Sequence, residues 1–127
     1  MVLLDTSVLI DVLRGVEPAR NALIGARRSG ESLVSSCVVR AEILAGMRSA
    51  ERPATSALLA SIGWLPVDEA VGDRAGALAR AHRRSMPGVD NADFLIAATA
   101  EIAGARLWTR NVRHFPFING LAAPYPG

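Results

Sequence analysis

The chain has 127 residues, half of them hydrophobic, with a formal net charge of +2 and a sequence pI of about 9.5, a size suited to one compact domain across residues 1–127 with a single core. One cysteine (Cys37) and two histidines (His82, His114) exclude an internal disulfide and a cysteine-based zinc centre. No apolar run is long enough to span a membrane, and the apolar start to Leu13 is interrupted by Asp5 and Asp11 with no basic segment before it, so a soluble, cytoplasmic protein is expected.

Val2-Leu3-Leu4 reads as a short strand buried on both faces. Asp5-Thr6-Ser7 ends it, and Val8 to Arg14 reads as a helix with Leu9, Ile10 and Leu13 inward; Gly15 stops it. A helix from Pro18 to Arg28 follows. Ser32 to Cys37 is a second strand. Val38 to Ala50 is helical, with Val38, Val39, Ile43, Leu44 and Met47 as its apolar contacts and Glu42 set among them. Pro53 opens a helix to Ile62, Trp64 to Val67 is a short strand or extended link, and Asp68 caps a long helix to Arg84.

After the Pro87-Gly88 loop comes the most apolar helix of the chain, from Asp90 to the Gly104 stop. Asp90 is its expected N-cap, and Asp93 lies in its first turn. A helix apolar on nearly every side is a buried one, and a carboxylate where it emerges needs a proton, a donor or a metal to compensate it. Arg106 to Thr109 is the next strand, and the tail, with Pro116, Pro124 and Pro126, is a loop with one short edge strand expected near Leu121 to Ala123. Short strands alternating with helices imply right-handed crossovers, hence an α/β fold with a mostly parallel central sheet flanked by helices in three layers. No phosphate loop, G-x-G-x-x-G or G-x-S-x-G motif occurs, which argues against nucleotide-dependent and serine-hydrolase chemistry.

Three acids stand out. Asp5 ends the first strand, where open α/β sheets bind ligands; Glu42 lies in a helix; Asp93 opens the buried helix. For each there is a plainer role: helix capping for the aspartates, solvent exposure for Glu42. Read together, carboxylates without a histidine or thiol set are hard oxygen ligands suited to Mg²⁺ or Mn²⁺, and such an ion activates water for phosphodiester hydrolysis. All fourteen basic residues are arginines, a side chain suited to bidentate phosphate contact. Arg110 and Arg113, which follow the last strand, are the leading candidates for RNA contact, with Arg14, Arg27, Arg28, Arg83 and Arg84 behind them.

Four segments, in order, carry a resemblance: Leu4-Asp5-Thr6-Ser7-Val8-Leu9-Ile10, Arg40-Ala41-Glu42-Ile43, Asp93-Phe94-Leu95-Ile96-Ala97-Ala98-Thr99-Ala100, and Thr109-Arg110-Asn111-Val112-Arg113-His114-Phe115. With them the chain resembles PIN-domain proteins, and among these the VapC toxins of bacterial toxin–antitoxin pairs. The resemblance implies a Mg²⁺-dependent endoribonuclease (Mn²⁺ as an alternative ion), with Asp5, Glu42 and Asp93 as the catalytic, metal-binding acids and Thr6, Asn111 and Asp90 as supporting polar residues. Asn111 stands where some members carry Asp, and His114 where Asp is frequent, departures that weigh against a second tightly held metal. The same resemblance implies a VapB-type antitoxin that blocks the site, and homodimers. Two alternatives remain open on the sequence: an RNA-processing nuclease of the same fold without a toxin role, and a catalytically silent binding module.

Overall fold

The structure, a computed structural model, describes residues 1–127. Strands β1 (Val2–Leu4), β2 (Leu33–Ser36), β3 (Gly63–Leu65) and β4 (Arg106–Trp108) form one sheet in the order β3-β2-β1-β4. Every pairing is parallel, with Leu3 opposite Val34 on one side and Leu107 on the other. The helices are α1 (Thr6–Leu13), α2 (Glu17–Arg28), α3 (Cys37–Gly46), α4 (Arg52–Ala60), α5 (Glu69–His82) and α6 (Asn91–Ala103).

The strand order explains where a site forms. From β1 the chain steps outward through β2 to β3, then returns to place β4 on the other side of β1. Right-handed crossovers put α1 to α4 on one face and α5 and α6 on the other. The reversal opens a crevice at the carboxyl ends of β1 and β4. Val2, Leu3 and Leu4 are fully buried, as a central parallel strand covered on both faces requires.

Most expected elements are present, with shifted ends. Helix α1 begins at Thr6, directly after Asp5. Helix α3 stops at Gly46, where Met47 turns extended, and a 3₁₀ turn at Ser49–Glu51 takes the rest of the expected helix. Its Leu44, expected inward, is 43 % exposed. Strand β3 lies one residue early and ends before Pro66, which has no N–H for the ladder. Helix α5 ends at His82, and Arg83 keeps helical dihedrals as its C-cap. Helix α6 buries Asp93, Phe94, Ile96, Ala97, Ala98, Thr99 and Ala100, and Gly104 closes it in the left-handed conformation at φ 67°.

The edge strand expected near Leu121 to Ala123 does not form. Gly120 turns at φ 72° just before it, and prolines flank the segment. Leu121 and Ala122 instead line, with Leu107 and Trp108, a cavity of about 570 Å³. Beyond it the tail is anchored by Tyr125, which is buried.

Candidate active site

Asp5 occupies the N-cap position of α1, yet its side chain makes no capping bond. Its carboxylate is held from the other side of the sheet reversal. Thr109 Oγ1, fully buried at the end of β4, donates to Asp5 Oδ2 at 2.7 Å, and Ser7 Oγ donates to the same oxygen at 3.2 Å. Thr109 Oγ1 and Ser7 Oγ in turn accept the backbone N–H groups of Asn111 at 2.9 Å and Arg110 at 3.0 Å. Two hydroxyls and two backbone amides therefore tie the end of β4 to the end of β1. Both hydroxyls converge on Oδ2, so Oδ1 keeps its lone pairs for the cleft.

Glu42 is exposed on α3, as the plainer reading of that residue required. It nevertheless faces the same cleft: Thr6 Oγ1 donates to Glu42 Oε1 at 2.7 Å. Thr6 thus sets the direction of Glu42 across the gap between α1 and α3.

Asp90 and Asp93 are coupled more closely than a cap and a free acid. Asp93 N–H donates to Asp90 Oδ1 at 3.0 Å, and Asp90 N–H donates to Asp93 Oδ2 at 3.1 Å. This reciprocal pair is a capping box with aspartate in both positions. Asp93 Oδ2 also has His114 Nδ1 3.6 Å away, beyond hydrogen-bond range. Burial, helped by the neighbouring charge of Asp90, pushes the Asp93 carboxyl up to about 6, against the backbone bond from Asp90 and the proximity of His114. Asp93 is the acid that the fold strains most to keep charged.

Asp5, Thr6, Glu42, Asp90 and Asp93 line one cleft of about 460 Å³, together with Ser7, Asp11, Arg14, Arg110, Asn111 and His114. Five of its lining side chains are acids: Asp5, Asp11, Glu42, Asp90 and Asp93. Asp11 is already compensated, since Oδ2 accepts from Arg110 Nη1 and from Tyr125 Oη, each at 2.7 Å. Burial and that bond raise the Tyr125 phenol above its ordinary range. The other acids have no cationic partner within 4.0 Å except the imidazole beside Asp93.

Of the residues singled out on the sequence, Asp5, Thr6, Glu42, Asp90, Asp93, Arg110 and Asn111 meet in this cleft, and Arg113 lies outside its lining. The Arg110 guanidinium bonds Asp11 and stacks over the Tyr125 ring with 5.5 Å to its centroid. The holding roles of Ser7, Asp11, Thr109 and Tyr125 were not foreseen. Asp11 lies four residues after Ser7 on α1, which puts both on one face; that spacing was the available signal.

The donor chemistry fits a hard divalent ion: free oxygens on Asp5, Glu42 and Asp93, and no thiol. The acids stand apart, and no three His, Cys, Asp or Glu side chains are drawn together as a closed chelate. Such spacing suits an ion that keeps several waters and takes only one or two carboxylates directly.

The parallel sheet carries its acids at the switch point, and a PIN domain model matches residues 2–117. The chain belongs to the PIN-domain family. It is 44 % identical over 126 residues to Ribonuclease VapC19 of Mycobacterium tuberculosis, covering 98 % of this chain and 100 % of that one. It is 45 % identical over 125 residues to Ribonuclease VapC10 of the same organism, covering 98 % and 93 %. Among solved structures, a toxin–antitoxin complex from Klebsiella pneumoniae superposes with a TM-score of 0.81 at 25 % identity, covering 98 % of both chains. No helix is long and apolar enough to cross a membrane.

Proposed function

We propose that this chain, acting as one nuclease domain over residues 1–127, is a divalent-metal-dependent endoribonuclease and the toxin of a toxin–antitoxin pair. The observation that carries the reading is the Asp5 carboxylate, pinned at the β1–β4 switch point by Thr109 and Ser7 with one oxygen left free, in a cleft that Glu42 and Asp93 also line. The near full-length likeness to two proteins named as ribonucleases supports the substrate class, and the likeness to a toxin–antitoxin complex supports the biological role.

Asp5, Glu42 and Asp93 would hold the ion, with Mg²⁺ the first expectation and Mn²⁺ able to replace it. Bound there, it supplies Lewis-acid activation of water and neutralises phosphate oxygens. Thr109 and Ser7 fix the Asp5 ligand, and Thr6 fixes Glu42. Asp93, whose carboxyl is pushed up to about 6, is charged at neutral pH and would offer the ion Oδ1, the oxygen not used by the Asp90 N–H. Asn111 presents a neutral amide at the rim, where it orients without adding to the repulsion among the acids. A VapB-type antitoxin is the expected partner, covering this cleft, with a second copy of the chain completing a homodimer in the cytoplasm.

A brief pulse of expression in bacteria tests the reading. Growth should arrest, co-expression of the neighbouring antitoxin should relieve the arrest, and mapped RNA 5′ ends should show new, discrete cuts that Asp5→Asn abolishes. Cuts without arrest would point to an RNA-processing nuclease; arrest without cuts would exclude cleavage as the cause.

A further inference from the structure

Three of the fourteen arginines have a carboxylate within 4.0 Å and eleven have none. Arg74, Arg106 and Arg110 are ion-paired, to Glu101, Glu31 and Asp11. Arg80, Arg83 and Arg84, in and just past the last turn of α5, have no carboxylate within 4.0 Å. All three line a groove of about 890 Å³ between α5 and α6. Arg80 and Arg83, three residues apart, share one helix face, and Arg84 follows in the turn beyond α5.

Arg83 is ordered without being neutralised. Its guanidinium lies over the Phe94 ring, 5.8 Å from the centroid, and donates to Asn91 Oδ1. A ring and an amide orient a cation while leaving its full charge available. Asn91 is the first residue of α6 and follows Asp90 on the rim of the acidic cleft. The basic groove and the catalytic cleft therefore adjoin across Asn91.

We propose that the α5–α6 groove is a second part of the substrate site, in which Arg80, Arg83 and Arg84 bind successive phosphates of single-stranded RNA flanking the scissile bond. The inference rests on the ribonuclease reading above. Unpaired guanidinium groups match phosphate oxygens bidentately. The groove offers little apolar surface to anchor a peptide: Phe94 is 1 % exposed beneath Arg83, Leu95 is half-buried, and the remaining apolar lining is alanine. Asp73, farther up α5, is the one acid in the lining, and it bounds the track at the end away from the cleft. A track beside the cleft lets phosphates be held where carboxylates do not repel them, so the RNA is anchored by its flank and the scissile phosphate is brought to the acids by chain connectivity.

The test is salt-dependent binding of a fluorescently labelled, mixed-sequence single-stranded RNA, followed by anisotropy in EDTA so that the probe survives. Each phosphate contact on a single strand contributes about 0.7 to the log–log slope of affinity against salt. The variant Arg80→Gln/Arg83→Gln/Arg84→Gln should therefore have a slope shallower by about 2 than the unaltered chain. Arg80→Gln alone, which removes no hydrogen bond of the fold, should lower it by about 0.7. Arg52→Gln, an exposed residue at the start of α4 that lines neither the groove nor the cleft, should leave it unchanged. In Mg²⁺, the triple variant should raise KM for long RNA while a dinucleotide substrate is cut as before. An unaltered slope in the triple variant, or an equal loss in Arg52→Gln, overturns the proposal, as does loss of polyglutamate binding with RNA binding intact, which would mark the groove as a seat for an acidic protein. Absence of any RNA cleavage by the unaltered chain would sink the ribonuclease reading itself, whereas cleavage with unchanged KM in the triple variant would sink only the groove.

Discussion

Replacing Asp93 by Asn should abolish turnover and, in the absence of metal, make the protein more stable. In the fold the Asp93 carboxyl is pushed from 3.8 to about 6, first by burial and then by the charge of Asp90. Between those values the folded chain holds a proton that the unfolded chain has released. Stability therefore falls as pH rises from about 4 to about 6, and the full penalty is present at neutral pH. At 1.36 kcal/mol for each pKa unit, that penalty is at most about 3 kcal/mol. The side chain is 12 % exposed at an open cleft, and water there reduces the penalty to about 1–2 kcal/mol. Asn keeps an oxygen to accept the Asp90 N–H, so the capping box survives while the charge is lost. The Asn variant should melt about 3–10 °C above the unaltered protein at pH 7.5 in EDTA, and the difference should fall to about half of that at pH 5. Differential scanning calorimetry at the two pH values reads this directly. A lower midpoint for Asp93→Asn at pH 7.5, or a difference that ignores pH, would refute the claim that the fold holds this carboxylate under strain.

Asp90→Ala removes the cap of α6 and should cost about 1 kcal/mol in chemical denaturation while most cleavage survives, since the account gives metal binding to Asp93. Thr109→Val, nearly isosteric and fully buried, strips Asp5 of its shorter hydrogen bond and also leaves the Asn111 N–H without its acceptor; a loss of about 1–3 kcal/mol should come with a clear fall in kcat, whereas unchanged kcat would mean that Asp5 needs no anchor. Tyr125→Phe leaves the packing but takes one of two donors from Asp11, and should cost about 1 kcal/mol with no change in the need for a divalent ion.

Much of this was legible in the chain because the strongest signals are short and local. An apolar triplet ended by Asp5, a helix without Gly or Pro opened by Asp90, and Gly104 at its end are each decided by neighbours in sequence, and each element appears where these residues put it. The missed edge strand shows the limit: Leu121-Ala122-Ala123 has a composition a strand tolerates, but the chain turns at Gly120 just before it and the segment lines a cavity instead. The site was legible as residue types and not as a network. That Asp5 belongs at a strand end follows from the sequence; that Thr109, 104 positions away, donates to it follows only from the sheet order. The division of labour between Asp90 and Asp93 was likewise drawn too cleanly, because a capping box engages both side chains at once.

The central claim is that Asp5, Glu42 and Asp93 hold a divalent ion that cuts RNA, and it is tested most directly by following cleavage of single-stranded cellular RNA in Mg²⁺, in Mn²⁺ and in EDTA, with product ends identified chemically. The account predicts cleavage with either ion, none in EDTA or with Asp5→Asn, and products bearing a 5′-phosphate, because water rather than the ribose 2′-hydroxyl is the nucleophile. Undiminished cleavage in EDTA, or products ending in a 2′,3′-cyclic phosphate, would contradict it.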